Sequence, residues 1–482
     1  MKKFVSDSVF ITVGGLVNRV KGFLFIPLII VYIGLEGYGA YTQIIITTLL
    51  LKAVFSLELG SGFQRFIPAE NDRNTRALHF GSVLYPTLLL GILGSLFLLG
   101  SAGWLSRLFF ENQYQEALMV SSPLLLSGVL YANGSKFLLA EKRFKTYTLL
   151  TFCYDLLPYL GFIGGIMLSR DVYYGMLVYL AMDMVVALAI LGVILSRLPL
   201  ARFSWNLFRQ YVRYTYALSL SSIEGGLLDK VDRYFIGFFL GVESLGIYNV
   251  VYKICSVSDF ITVPIKKQLM SYLSGAWDRG HERESRLVIQ QALLLFMILS
   301  IALVSFLTIN IHDIFALVLQ EDPQTLPLPW IVLFIGLGIT AYASKRFYSL
   351  LIYLRQHTLD ELRYQTVGLI LNVMLNTALI PPLGLLGAAI ATFISYAVMI
   401  IMVQMRYRLA LSWAFWGHIC TFTLLATGIM LLGHYAFGGK TLWWLGLNGL
   451  VSAVVYFGLI LLLKKALLVD IQQQVRKFQK LA

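Results

Sequence analysis

The sequence is short of charge and shorter of cysteine. Asp, Glu, Lys and Arg make up 13% of its 482 residues while apolar types reach 58%, with a mean hydropathy of +0.76. An ordinary soluble domain carries about 25% charged residues, so the composition excludes a soluble enzyme and describes an integral membrane protein. The three cysteines, Cys153, Cys255 and Cys420, fall inside apolar runs without metal-type spacing. Neither a disulfide framework nor a zinc site is expected, and they read as small core residues. Long polar stretches are missing too: the largest connections are about 15 to 21 residues, against the roughly 50 of a minimal domain. That argues against a catalytic head, and Gly-rich phosphate loops, HExxH and GxSxG patterns are absent. No catalytic residue, metal or cofactor is expected. After "MKK" the apolar run 9–33 has no small-x-small cleavage site, so the first span is expected to stay.

What is present is a series of apolar runs. Requiring about 20 mostly apolar residues per crossing, fourteen helices are expected, near 9–33, 39–63, 78–100, 117–139, 148–168, 173–196, 214–240, 244–265, 287–309, 328–350, 364–381, 385–405, 412–433 and 442–463. The formal charge of +13 matters less than where it lies. Loops on the side of the N-terminus hold nearly all of the loop arginines and lysines, and the other side has only Arg107, Arg170 and Lys440. The positive-inside rule then places both termini in the cytoplasm. The charge therefore needs no nucleic-acid partner. Trp104, Trp330, Trp413, Trp416, Trp443 and Trp444 sit at span ends, as interfacial aromatics do.

The stretch from Ser221 to Pro264 breaks the apolar rule most openly. It carries Glu224, Asp229, Lys230, Asp232, Arg233, Lys253 and Asp259 at span depth, where each charge costs about 2.5–3.5 kcal/mol at the bilayer centre. Such groups must neutralise one another inside a bundle or line a wet cavity. Asp229 and Arg233 are spaced for an i,i+4 salt bridge. The stretch also repeats an earlier pattern: "GLEGYGAY" at Gly34–Tyr41 and "GVESLGIY" at Gly241–Tyr248 share G-x-E-x-x-G-x-Y at a constant spacing of 207 residues. An internal duplication is expected, with a substrate site between two related halves.

Within the spans lie seven basic residues, Arg19, Lys21, Lys52, Lys136, Lys230, Arg233 and Lys253, and seven acidic ones, Glu58, Asp155, Asp183, Glu224, Asp229, Asp232 and Asp259. Gly15, Asn18, Arg19 and Gly22 fall on one helix face, which points to the protein interior. Lys52 has only Glu58 nearby in sequence, and that residue lies off its face. Arg65, Lys266, Lys267, Lys345 and Arg346 sit at cytoplasmic span ends, where snorkelling accounts for each singly; together they would ring an inward-facing mouth. An anionic, phosphorylated substrate suits such a lining. The acids Asp155, Asp183, Glu224, Asp229, Asp232 and Asp259 are candidates for binding a coupling cation or proton.

Three stretches, "PLIIVYIGLEGYGAYTQ" with "LELGSGFQRFIP", "DKVDRYFIGFFLGVESLGIYNVVYK", and "NVMLNTALIPPLGLLGAAIATFISYAV", resemble signature regions of the polysaccharide transporter family. These are Wzx-like flippases of lipid-linked oligosaccharides, within the multidrug/oligosaccharidyl-lipid/polysaccharide exporter superfamily. The resemblance implies an all-α membrane protein with two six-helix lobes, 1–205 and 206–408, and two further helices with a basic tail over 409–482. It implies alternating access in the cytoplasmic membrane and an undecaprenyl-diphosphate-linked glycan as cargo. Arg19, Lys21, Lys52, Lys253, Arg346 and Arg65 become the substrate-binding candidates. Membrane lipids, and a polysaccharide polymerase or glycosyltransferases, become the implied partners. A cation-coupled multidrug exporter of the same superfamily and a lipid II flippase are the alternatives.

Overall fold

The structure is a computed structural model of the chain. It describes all residues except 1, 71, 258–261, 263–268, 271–272, 274–275, 320–324, 410, 412, 438–445, 448 and 451–482; the side chains of residues 2–24 and a few helix-end positions are also outside it. Most of the expected fourteenth span and all of the basic tail therefore lie outside the described residues.

Among the described residues the regular structure is entirely helical, as the composition and apolar periodicity require. The helices are α1 Lys2–Ser56, α2 Leu59–Phe66, α3 Arg73–Phe109, α4 Gln115–Ser121, α5 Leu124–Ala140, α6 Phe144–Ser169, α7 Val172–Leu195, α8 Trp205–Leu228, α9 Val231–Cys255, α10 Glu282–Leu319, α11 Leu328–Leu354, α12 Thr358–Leu383, α13 Leu385–Tyr407 and α14 Trp413–Phe437. Eleven helical segments among the described residues are long and apolar enough to cross a membrane, and the protein is a multi-pass membrane protein. Local chemistry sets several ends. Asp72 caps α3 by accepting from Thr75 N at 2.8 Å, and Asp171 caps α7 by accepting from Tyr173 N at 2.9 Å. The Thr75 hydroxyl and amide hold the exposed Asp72 carboxyl below its ordinary range.

Expected spans 1 and 2 form one continuous helical run, α1, bent at Gly34. Phe25 and Tyr41 both lie against Tyr159, with ring centroids 5.6 and 6.2 Å away. In a straight helix they would be roughly 24 Å apart along the axis, so the run folds back on itself. Gly34 takes φ 69°, ψ 179°, a conformation open essentially to glycine alone. Its counterpart Gly241, inside α9, takes φ 79°, ψ 175°, and there Tyr248 reaches back to Asp232. The two copies of the motif share one backbone turn. A third tight connection is Gly384, the single residue between α12 and α13.

By contacts the chain divides into Met1–Asn249 and Val250–Ala482. The dividing point lies beyond residue 205 because α8 packs on α1, α2 and α3. In the first unit α6 packs on α7, α3 on α5 and α2 on α5. Its core gathers Leu59, Phe63, Phe80, Phe137, Ile190 and Tyr211, with Phe63 edge-on to Phe137 at 5.0 Å. In the second unit α11 packs on α13, α12 on α13, and α10 on α11 and α14, around Ile289, Phe296, Phe347, Leu351, Tyr407 and Phe415. Cys255 is buried, but Cys420 is exposed on α14, which corrects the expectation that all three cysteines fill the core.

Candidate functional site

Charge in this protein gathers where helices break. The second expected span is interrupted at Leu57 and Glu58, both left-handed at φ 46° and 51°, so α1 stops and α2 starts again at Leu59. The break turns Glu58 toward Lys136 of α5, with which it forms an ion pair. Ser61 donates to the same carboxylate at 2.9 Å and Ser222 of α8 at 3.2 Å. One turn before Lys136, Asn133 accepts from Gly60 N at 2.7 Å and donates to Thr87 of α3 at 2.8 Å. Breaking a helix frees backbone groups that need partners, and Asn133 supplies one. Replacing Glu58 with Ala should destabilise the first unit by about 1–3 kcal/mol, the usual cost of stranding such donors; thermal unfolding of the purified protein checks this.

The seventh expected span breaks at Asp229 and Lys230, between α8 and α9. Arg233 does not form the expected i,i+4 side-chain bridge. Its guanidinium donates to the main-chain carbonyl of Asp229, its Nε donates to Asn249 Oδ1 at 2.8 Å, and the carboxylate beside it is that of Asp232, at 3.7 Å. The reason is the break itself: the last carbonyls of α8 lack helical partners, and a guanidinium has donors to spare. Asp232 is buried and accepts from the Tyr248 hydroxyl at 2.8 Å. Asn249 donates on to Thr42 at 2.9 Å, and these two residues are themselves 207 positions apart, the repeat spacing.

Lys52 lies deeper in α1. Its ammonium stands over the Tyr154 ring, 5.8 Å from the centroid, and its stem runs where a side chain on Gly128 would lie, with Cδ 2.7 Å from that glycine's ideal Cβ position. The carboxylates that act on it most are Asp183 and then Asp155, with Glu58 a lesser one. Among the described residues Lys52 has no direct ion pair. Asp183 is buried on α7 and accepts from Ser127 of α5, while Tyr154 stacks flat on Tyr131 at 3.4 Å. Lysine, two carboxylates and an aromatic pair thus come from four helices of one unit.

In the second unit, Arg346 stacks over Tyr342 at 4.9 Å, and Lys253 is half-buried in the last turn of α9. Lys345 departs from the snorkelling expectation: it is 1% exposed and pairs with Glu361 of α12 at 2.5 Å. Ser349 donates to the other Glu361 oxygen at 3.0 Å. This lysine is a structural clamp and not part of a cationic rim.

Of the other candidates, Arg65 is exposed at the end of α2 and Glu224 is half-buried on α8. The side chains of Arg19 and Lys21, and all of Asp259, Lys266 and Lys267, lie outside the described residues. Sequence reasoning missed Gln43, fully buried on α1 with neither end of its carboxamide hydrogen-bonded among the described residues. Its signal was one amide within "YTQIIITT".

Comparison with known proteins agrees with this architecture. The chain resembles the probable low-salt glycan biosynthesis flippase Agl15 of Haloferax volcanii, at 24% identity over 310 residues; the match spans 62% of each chain. Its fold is similar to that of the lipid II flippase MurJ in an inward closed conformation, with a TM-score of 0.78 at 15% identity, covering 95% of this chain and 100% of the other. An inward-facing multidrug resistance MATE transporter of the MOP superfamily gives a TM-score of 0.60 at 14% identity, covering 82% and 94%. The model of the polysaccharide biosynthesis protein family matches residues 4–270, more than half of the sequence, and the chain belongs to that family.

Proposed function

We propose that the protein is a transporter and not an enzyme, carrying a lipid-diphosphate-linked oligosaccharide across the cytoplasmic membrane by alternating access, with both termini in the cytoplasm. The observation that carries this reading is Lys52. A cation that only needed neutralising would be locked to a carboxylate, as Lys136 is to Glu58. Lys52 instead stands over an aromatic ring with two carboxylates near it and no direct ion pair among the described residues. A diphosphate entering the membrane interior needs such a cation, since both charges are costly there alone. Asp183 and Asp155 then supply the site for a coupling cation, exchanged as Lys52 is engaged or released. Membership of the polysaccharide biosynthesis family and the glycan flippase relative support this cargo; the likeness to the lipid II flippase is one of fold.

Deletion of the gene in the source organism should make lipid-linked glycan accumulate on the inner leaflet, and the wild-type chain should reverse it. Lys52→Glu at equal expression should lower the glycan reaching the outer surface at least tenfold, a rise of about 1.4 kcal/mol or more in the barrier. Lys52→Arg should retain most of the flux. Full activity of Lys52→Glu would remove this residue from the site. A deletion that alters drug resistance and not the glycan would replace the flippase reading with a multidrug exporter.

A further inference from the structure

On the face of the first unit where α1 turns at Gly34, the connections after α3 and before α7 shape an open cleft of about 650 Å³, most of whose lining residues are exposed. Its polar lining is Asn112, Gln113, Gln115, Glu116, Asp171 and Tyr173, with the half-buried Tyr114. The volume falls within the roughly 300–1,000 Å³ of small-ligand sites and fits a di- or trisaccharide. Its chemistry differs from that of the membrane interior: beside Ala117 and Met119 it presents three carboxamides, two carboxylates and two phenols, with no lysine or arginine.

We propose that this cleft is a subsite for the neutral sugar part of the cargo, distinct from the cationic groups that meet the diphosphate. Carboxamides both donate and accept, carboxylates accept two bonds, and tyrosine hydroxyls do either, which is the mixture a polyol demands. A lining without cations and with two carboxylates repels phosphate. The walls are held in place before any ligand arrives. Glu111, Asn112 and Tyr114 are all left-handed, at φ 52°, 67° and 55°. The segment is fastened by Ser106 Oγ to the Gln113 carbonyl at 2.6 Å, by Asn112 N to the Ser106 carbonyl at 3.2 Å, and by the Tyr114 hydroxyl to Glu36 at 3.1 Å. Burial and then Glu36 push the Tyr114 hydroxyl up to about 12, so it remains a donor at any physiological pH. Under the positive-inside orientation this is the outer face, so the subsite would hold the glycan as it leaves.

The proposal rests on the glycan reading of the cargo, and its test is separable from the test of transport. Full-length protein in lipid nanodiscs is titrated with three neutral trisaccharides, built of glucose, mannose and N-acetylglucosamine, and with inorganic diphosphate, observed by saturation-transfer NMR. At least one trisaccharide should bind, and Gln113→Ala combined with Glu116→Ala should weaken it at least tenfold. Asp171 is left intact because it caps α7. Tyr173→Phe, which keeps the ring, should weaken binding less than Tyr173→Ala. Unchanged affinity in the double variant, binding of none of the three by a transport-competent wild type, or diphosphate competing for the same cleft would each overturn the subsite while leaving the role of Lys52 standing.

Discussion

Adding one methyl group at Gly39 should cost the protein its folded state in the membrane. An ideal Cβ on Gly39 would lie 1.8 Å from the Val242 carbonyl oxygen, and one on Gly246 would lie 2.3 Å from the Leu35 carbonyl oxygen. The contact is reciprocal: Gly39 and Gly246 hold the same place in the two motif copies, as do Leu35 and Val242. Main chain cannot rotate away as a side chain can, so the effect should reach or exceed the usual 1–3 kcal/mol of overpacking. Gly39→Ala and Gly246→Ala should each lower the yield of monodisperse protein at least tenfold in fluorescence-detected size exclusion. Gly164→Ala and Gly192→Ala, which meet nothing within 4 Å, serve as controls and should be neutral or stabilising by up to about 1 kcal/mol, since alanine is the better helix former. Normal yield of both motif variants would show that the two turns do not approach as described.

The second large effect is expected at Lys345. Methionine there would remove the buried cation with which the half-buried Glu361 pairs. Removing one member of a buried pair typically costs about 3–5 kcal/mol. Glu361→Leu alone should cost a similar amount, because it takes from the buried lysine the carboxylate with which it pairs. The double change Lys345→Met with Glu361→Leu should recover most of the loss, as apolar replacements of buried pairs often do. Melting of the four proteins in one detergent provides the cycle. Additive losses would mean that the two side chains act independently.

Much of the fold was legible in the sequence because apolar length is a strong signal. The duplication was legible because a glycine-only turn leaves an invariant spelling, and Gly34 and Gly241 have nearly the same dihedral angles. The candidate site was less so, for three physical reasons. The break at Leu57 and Glu58 contains no proline and no glycine; ordinary residues are held left-handed there by Lys136, Ser61 and Ser222. Pairing rules drawn from one helix could not find Asp183 for Lys52, which lies on another helix far along the chain. They also misassigned Arg233, whose better acceptor was an unpaired main-chain oxygen. Lys345 was assigned to the water interface because it lies near a span end, yet a carboxylate on the next helix was closer than solvent.

The bend at Gly34 has a mechanical meaning. Two membrane crossings share a joint one residue long, so their ends on that side have no slack and cannot part. The same is true of the two arms that meet at Gly241. At Gly241 the arms are also laced together away from the joint, by Tyr248 to Asp232 and by Arg233 to Asn249, so that pair is clasped at both ends and has to be carried as one piece.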